Sequence, residues 1–279
     1  MKTAVIFGAG GTGKAIYPEV AKEYQVLCYI DNDYQNRGGM YGLPVKNPAT
    51  VLEMGEFDDV ILASVPGYDS LLSMCERYGI GSKRIVDRYV RFPLESRRTF
   101  LKNFSMLAKE RNFPGAVAEA GVFEGDFAKY INEYFPERLL YLFDTFSGFD
   151  EQDIQVEREK QTSAAKTGDY GTATVEQVMG KLPHAEKVVV CKGYFPDSAV
   201  GIEAKFCFVN LDLDLYIPTR RGLDYFQTHM VSGGIILVHD YFADTFRGPK
   251  KAVDEFLLIN RQYSCYPIGD GLSCLIAGF

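Results

Sequence analysis

The chain lacks any apolar run approaching the roughly 18 residues that a membrane-spanning helix needs, so no membrane segment is expected. It also lacks the apolar core and cleavage site of a signal peptide: MKTAVIFGAGG enters a strand pattern at once, which points to the cytoplasm. Cysteine is sparse and unpatterned. Cys28, Cys75, Cys191, Cys207, Cys265 and Cys274 form no CxxC pair, and those in VLCYI and KFCFV read as small, reduced, buried hydrophobes. Positive charge is in deficit, 30 Lys and Arg against 37 Asp and Glu, and the net charge of −7 argues against a nucleic acid held by phosphate contacts. What is present is an ordinary globular balance. With 47% hydrophobic and 24% charged residues, 279 residues suit one or two α/β units with a sizeable core. Self-association into a homo-oligomer is left open.

Residues 1–90 read as a small α/β domain. Strand TAVIFG, a Gly-rich turn and helix KAIYPEVAKEY lead to strand QVLCYID. After the turn-rich NDYQNRGGMYGLP come a short helix near PATVLEM, strand DDVILAS, helix YDSLLSMCERYG and strand KRIVD. This alternation implies a parallel sheet of about four or five strands, short of the six in a full dinucleotide fold. Gly8-Ala9-Gly10-Gly11-Thr12-Gly13 satisfies GxGxxG between strand and helix, and Asp31 follows 18 residues after its last glycine. Gly8, Gly10, Gly13 and Asp31 are therefore a candidate nucleotide site, with backbone amides facing a diphosphate and the acid on a ribose. The plainer alternative is a truncated Rossmann-like unit kept for docking or positioning. A P-loop is disfavoured because Ala15 stands where Ser or Thr would hold Mg²⁺.

Residues 91–115 turn polar and helical, with Phe100, Phe104, Leu107 and Ala108 at helical spacing, and read as a linker helix that packs an apolar stripe. Pro114-Gly115 then punctuates, and 116–279 form a second α/β series. Strands AVAEAG, RLLYLFD, KVVVCKG, AKFCFVNLD and GGIILVHDY alternate with helices FAKYINEYF, TVEQVMGKL, TRRGLDYFQTHM and GPKKAVDEFLLIN. A long polar excursion covers about 145–173, and SCYPIGDGLSCLIAGF closes as a hairpin around Gly269-Asp270-Gly271. The fold class is thus α/β: two Rossmann-like units, the second a parallel sheet ending in an antiparallel hairpin, as in class I methyltransferases.

Short buried strands that end in Gly or an acid deliver ligand groups to one sheet edge. Four such segments, at 116–125, 139–149, 206–216 and 233–241, together outline a site for S-adenosylmethionine. Glu119, Gly121, Val122 and Gly125 form a strand-to-helix turn able to curl around the amino-acid part of that cofactor. Asp144, with Thr145 after it, is placed for the ribose hydroxyls. Gly193 and Asp197 follow the next strand and either border the adenine or simply turn and cap a helix. Asp212 and Asp240 end neighbouring strands, where two carboxylates could share a hard cation that acidifies a bound hydroxyl. Asp214 shares a face with Asp212 if the strand continues, and otherwise caps or turns. His184 and His229 read as surface residues. Aromatic residues Phe146, Phe149 and Tyr170 suggest that the excursion closes over the acceptor as a lid.

The stretches VAEAGVFEGDFA, LYLFDTFSGFD, KGYFPDS, VNLDLDLYIPT, SGGIILVHDY and GPKKAVDEF, in this order, resemble the macrocin O-methyltransferase family over about 60% of the chain. The resemblance implies S-adenosylmethionine-dependent O-methylation of a hydroxyl on a sugar or glycosylated small molecule, with a divalent metal; carboxylate ligands suit Mg²⁺, an imidazole a transition metal. It gives Glu119, Gly121 and Asp144 cofactor roles, makes Asp212 a metal ligand and base, and makes Asp240 a second ligand. Family members with a clear metal site tend to carry Asp-Asp where this chain has His239-Asp240. His239 is then a third ligand, a general base, or a sign of weakened metal binding. The competing expectation is a nucleotide-sugar or dinucleotide-binding regulator built on an inactive methyltransferase scaffold.

Overall fold

The computed structural model describes residues 1–65 and 67–279, and the chain divides into two compact units, Met1–Glu95 and Ser96–Phe279. The first contains β1 (Lys2–Phe7), α1 (Gly11–Glu23), β2 (Tyr24–Ile30), β3 (Val45–Lys46), α2 (Pro48–Met54), β4 (Asp59–Leu62), α3 (Tyr68–Arg77) and β5 (Ile85–Val86). Its sheet has the order β3-β2-β1-β4-β5 with every pairing parallel. Alternate residues of β1 enter opposite layers, Val5 and Phe7 packing with Leu62 and Ile30, and Ala4 and Ile6 with Tyr29 and Ile61. That is why the strand reads as a continuous apolar run.

Helix α4 (Arg88–Glu110) spans the division, beginning three residues before the expected linker. The second unit follows with β6 (Ala116–Ala120), α5 (Asp126–Tyr134), β7 (Leu140–Asp144), α6 (Glu151–Lys160), α7 (Val175–Lys181), β8 (Val188–Lys192), β9 (Phe206–Leu211), α8 (Tyr216–Phe226), β10 (Met230–Val238), α9 (Gly248–Ile259), β11 (Ser264–Pro267) and β12 (Cys274–Ala277). The strand order is β11-β12-β10-β9-β6-β7-β8, parallel throughout except for the final hairpin. The α/β class with its antiparallel ending is as the sequence pattern implied. From β6 the chain moves one way to β7 and β8, and later the other way to β9 and β10. The carboxyl end of β6 is therefore the switch point at which open sheets bind ligands.

Three local readings need correction. The excursion after β7 contains a full helix, α6, capped by Asp150, whose carboxylate accepts from Gln152 N. Helix α8 starts and ends earlier than expected, because Met230 is already in β10, whose register slips between Met230 and Ile235. Finally, β9 stops at Leu211 and Asp214 has φ +58, so the alternation that would put Asp212 and Asp214 on one strand face does not hold.

Candidate active site

At the end of β6 the chain turns through Gly121, with φ +85. A Cβ there would lie 1.7 Å from the carbonyl oxygen of Asp212, so no side chain fits. The same contact presses the turn onto the backbone that follows β9. Val122 N and Phe123 N donate to Asp144 Oδ2 at 2.7 and 3.0 Å, and Phe146 N donates to Asp144 Oδ1 at 2.7 Å. Asp144 is first of all the organiser of the turn; a carboxylate offers about four acceptor positions, so one remains for a ligand. Gly125, at φ +79, caps α5 where a Cβ would meet Val178 at 2.8 Å. Thr145 folds its own loop, donating to Gly148 O and accepting from Ser147 N. Gly193 N donates to Asp144 O at 2.9 Å, which sets the end of β8 beside that acid. Asp197 instead turns outward to Arg221 at 2.9 Å, with its carboxylate largely exposed.

Glu119 is buried inside β6. Its Oε1 accepts from Asn210 Nδ2 at 2.8 Å and its Oε2 has no partner. Burial, reinforced by Asp212, pushes this carboxyl well above the ordinary range.

Leu211 and Val238 pair in register on β9 and β10, so the residues that follow them arrive side by side. His239 Nδ1 lies 3.2 Å from Asp212 Oδ1 and 3.1 Å from Asp240 Oδ1, yet makes no well-aligned hydrogen bond to either. One ligand atom from each of Asp212, His239 and Asp240 falls within 4.8 Å of the others. Asp212 Oδ2 accepts from Arg97 Nη2 at 3.0 Å. Burial would raise the Asp212 carboxyl, but His239 and Arg97 outweigh it and hold it below the usual range. Burial and Arg97 oppose a charged His239, yet Asp212 and Asp240 prevail and raise it to about 10. Asp214 is pushed up by burial, then by Asp240 and Asp212. Arg97 carries no motif and was missed in the sequence; only its contacts across the fold reveal it.

Five of the eight non-glycine residues with positive φ among the described residues (Phe123, Phe146, Tyr170, Asp214 and Asp240) surround this edge. Such strain gathers where a site over-determines its backbone. Tyr170 meets Phe123 and Phe149 edge-on with ring centroids 5.1 and 5.2 Å apart, and Phe149 meets Phe246 at 6.4 Å. Desolvation and then Asp214, Asp240 and Asp212 raise the Tyr170 phenol, so the aromatic cluster adjoins the acids. Beyond it opens a cleft of about 650 Å³ lined by Arg158, Ser163, Asp169, Phe246 and Arg247. His184 and His229 lie elsewhere: His184 N donates to Asn132 Oδ1, and His229 stacks on Tyr225 at 4.1 Å.

In the first unit, Gly8 has φ +114, and a Cβ there would lie 2.6 Å from Ala63 O. Ala9 N donates to Asp31 Oδ2 at 2.7 Å, and a Cβ on Gly13 would strike Gly8 O at 2.0 Å. Arg37 covers this turn, with Nε 3.1 Å from Asp31 Oδ1 and Nη1 donating to Ala9 O beside Gly10.

The sequence pattern of the macrocin O-methyltransferase (TylF) family matches residues 95–262. No curated protein matches the chain in sequence. Among solved structures it is similar to the O-methyltransferase NovP, with TM-score 0.53 and 19% identity over 64% of this chain and 78% of that one. It is similar also to CalS11, a calicheamicin methyltransferase, with TM-score 0.54 and 16% identity over 82% and 89% of the two chains. At such identities the likeness speaks for the fold. The family pattern covers more than half of the sequence, including every residue of the site at the β6 switch point, and the chain therefore belongs to the macrocin O-methyltransferase family and is an O-methyltransferase.

Proposed function

We propose that the chain is a cytoplasmic enzyme that moves the methyl group of S-adenosylmethionine to a hydroxyl of a sugar or glycosylated small molecule, assisted by a divalent cation. The observation that carries this reading is the contact of Gly121 with the Asp212 carbonyl, which makes the donor turn and the acid cluster share one edge. The residues present suit the donor. Glu119 keeps one buried oxygen without a partner, fit for the ammonium of the methionine portion, and Asp144 retains an acceptor position for a ribose hydroxyl. The methyltransferase domain is assigned to 116–279, with 1–90 as a separate Rossmann-like domain and 91–115 joining them.

A cation fits as well. The buried Nδ1 of His239 is left without a hydrogen bond while aimed at two carboxylates. Neighbouring donors on a six-coordinate ion with bonds near 2.1 Å stand about 3 Å apart, close to the separations of His239 Nδ1 from the two carboxylates. Asp212, His239 and Asp240 would hold it; two carboxylates suit Mg²⁺, while the imidazole favours a transition metal. A bound cation would lower the pKa of the acceptor hydroxyl and offset its developing charge. Asp212 accepts the hydroxyl proton, and its pairing with Arg97 makes it a weak base, so positioning and charge neutralisation supply most of the rate. The aromatic cluster of Phe123, Phe149, Tyr170 and Phe246 offers stacking surface for a sugar ring.

Calorimetry with S-adenosylhomocysteine, followed by a screen of glycosides and nucleotide sugars for addition of one methyl group by mass spectrometry, tests this. A protein that does not bind S-adenosylhomocysteine ends the proposal. A second, separate reading concerns the first unit, where Gly8, Gly10, Gly13 and Asp31 build a turn like that at Gly121 and Arg37 adds a cation. These features support a nucleoside diphosphate or nucleotide sugar as ligand there.

A further inference from the structure

Arg97 stands where the donor end and the acceptor end of the site meet. Its Nη2 donates to Asn210 Oδ1 at 2.8 Å and to Asp212 Oδ2 at 3.0 Å. The guanidinium lies 4.0 Å from the centre of the Phe127 ring, and its buried Nε has no partner. Asn210 is fully buried and pairs in register with Glu119 on the adjacent strand, where its Nδ2 reaches Glu119 Oε1 at 2.8 Å.

The chemistry of these three groups leaves one arrangement. A guanidinium only donates, so Asn210 must turn Oδ1 to Arg97, which leaves Nδ2 to donate to Glu119 Oε1. Without Arg97 the amide is free to rotate and to set its oxygen against Glu119, acceptor against acceptor once Glu119 ionises to meet the ligand ammonium. Asp212 loses at the same time the donor that anchors Oδ2, the oxygen turned away from His239.

We propose that Arg97 is a positioning residue that couples the two ends of the reaction. Through Asn210 it fixes Glu119 with its free Oε2 presented to the ammonium of the methyl donor. Directly, it orients Asp212 toward the acceptor hydroxyl. The proposal rests on the reading that the donor binds at Glu119, Gly121 and Asp144. Lysine is no substitute, since an ammonium could reach both acceptors from one nitrogen, as Nη2 does, but lacks the planar face that stacks on Phe127.

The test is calorimetry on the full-length, metal-free protein with two ligands, S-adenosylhomocysteine and 5′-methylthioadenosine. Both carry the adenosine and the thioether, and only the first carries the amino-acid end. Arg97→Met is expected to weaken S-adenosylhomocysteine about tenfold or more while leaving methylthioadenosine within about twofold. An equal loss for both ligands, or no loss for either, would overturn the proposal. Should Arg97→Met fail to fold, Arg97→Lys carries the same comparison, with a selective loss of roughly threefold expected and the same overturning results. If the unsubstituted protein binds neither ligand, the methyl-donor reading itself falls; a wild type that binds both, beside a variant without selectivity, sinks only the role of Arg97.

Discussion

Glu119 sits in the middle of the sheet with one oxygen satisfied by Asn210 and the other bare, and burial raises its carboxyl well above the ordinary 4.5. The sign of the consequence follows directly. A carboxyl whose pKa is raised on folding contributes stability that is complete below its unfolded value and is lost as pH climbs through the folded one. Glu119→Gln is therefore expected to gain stability relative to wild type as pH rises above about 4.5. Pairing with a ligand ammonium reverses the preference, because the charged partner favours the carboxylate. Donor binding should then release a proton, and its affinity should rise with pH over that same window. Calorimetry in two buffers of different ionisation enthalpy reads this: wild type should show a buffer-dependent binding enthalpy, and Glu119→Gln weaker binding without that dependence. A wild-type enthalpy indifferent to buffer would mean that Glu119 does not change protonation when the donor arrives.

At the scale of elements, α6 turns the excursion after β7 into a fixed wall. Tyr194 Oη donates to Asp153 Oδ1 at 2.9 Å and Tyr216 N donates to Glu157 Oε1 at 2.6 Å, so both buried acids of the helix are tied to neighbouring segments. Arg247 N reaches Thr162 O at 2.8 Å just beyond its end. The excursion is therefore tied down along α6, and Phe149 and Tyr170 meet edge to face where its two ends pair, Phe149 N donating to Asp169 O and Gly168 N to Phe149 O. Asp150→Ala removes the cap and should cost α6 about 1 kcal/mol. Hydrogen exchange should show the amides of Ile154–Glu157 opening roughly fivefold more often, with β6 and β7 unchanged and the KM for the acceptor raised. Unaltered exchange in α6 would show that the tertiary ties alone hold it.

The same helix shows where sequence reading stops. The strands and the acids that end them were legible because a short apolar run closed by Gly or Asp is a local pattern. Helix α6 was not, since it buries Asp153 and Glu157 with Ile154 as the one buried apolar residue and Val156 off that face, and so displays no apolar stripe at helical spacing. Arg97 meets Asp212 across 115 residues of sequence, and nothing around it hints at that partner. Asp214 reaches the acids through a left-handed turn rather than through strand alternation. The pairing of Asp212 with His239 and Asp240 could be anticipated from neighbouring strand ends, whereas the bare Nδ1 between the carboxylates could not.

On the scale of the whole molecule, one turn is built twice. Gly8 N donates to Ile30 O and Gly121 N to Phe143 O, each at 2.9 Å; Ala9 N donates to Asp31 and Val122 N to Asp144, each at 2.7 Å and across 22 residues. The surroundings differ in charge. The second turn adjoins buried Glu119, whose Oε2 has no partner and favours a cationic group, while the first is covered by Arg37, which favours an anionic one. The two units should therefore discriminate between ligands. A ligand at a hundred times its Kd stabilises the state that binds it by about 2.7 kcal/mol. Hydrogen exchange with S-adenosylhomocysteine is expected to protect the amides of 119–125 and 144–146 and leave 8–14 unchanged. A nucleoside diphosphate sugar should do the reverse, and Arg37→Ala should abolish its effect without touching the first. Protection of 8–14 by S-adenosylhomocysteine would show that the shared turn geometry, rather than the charge placed beside it, selects the ligand.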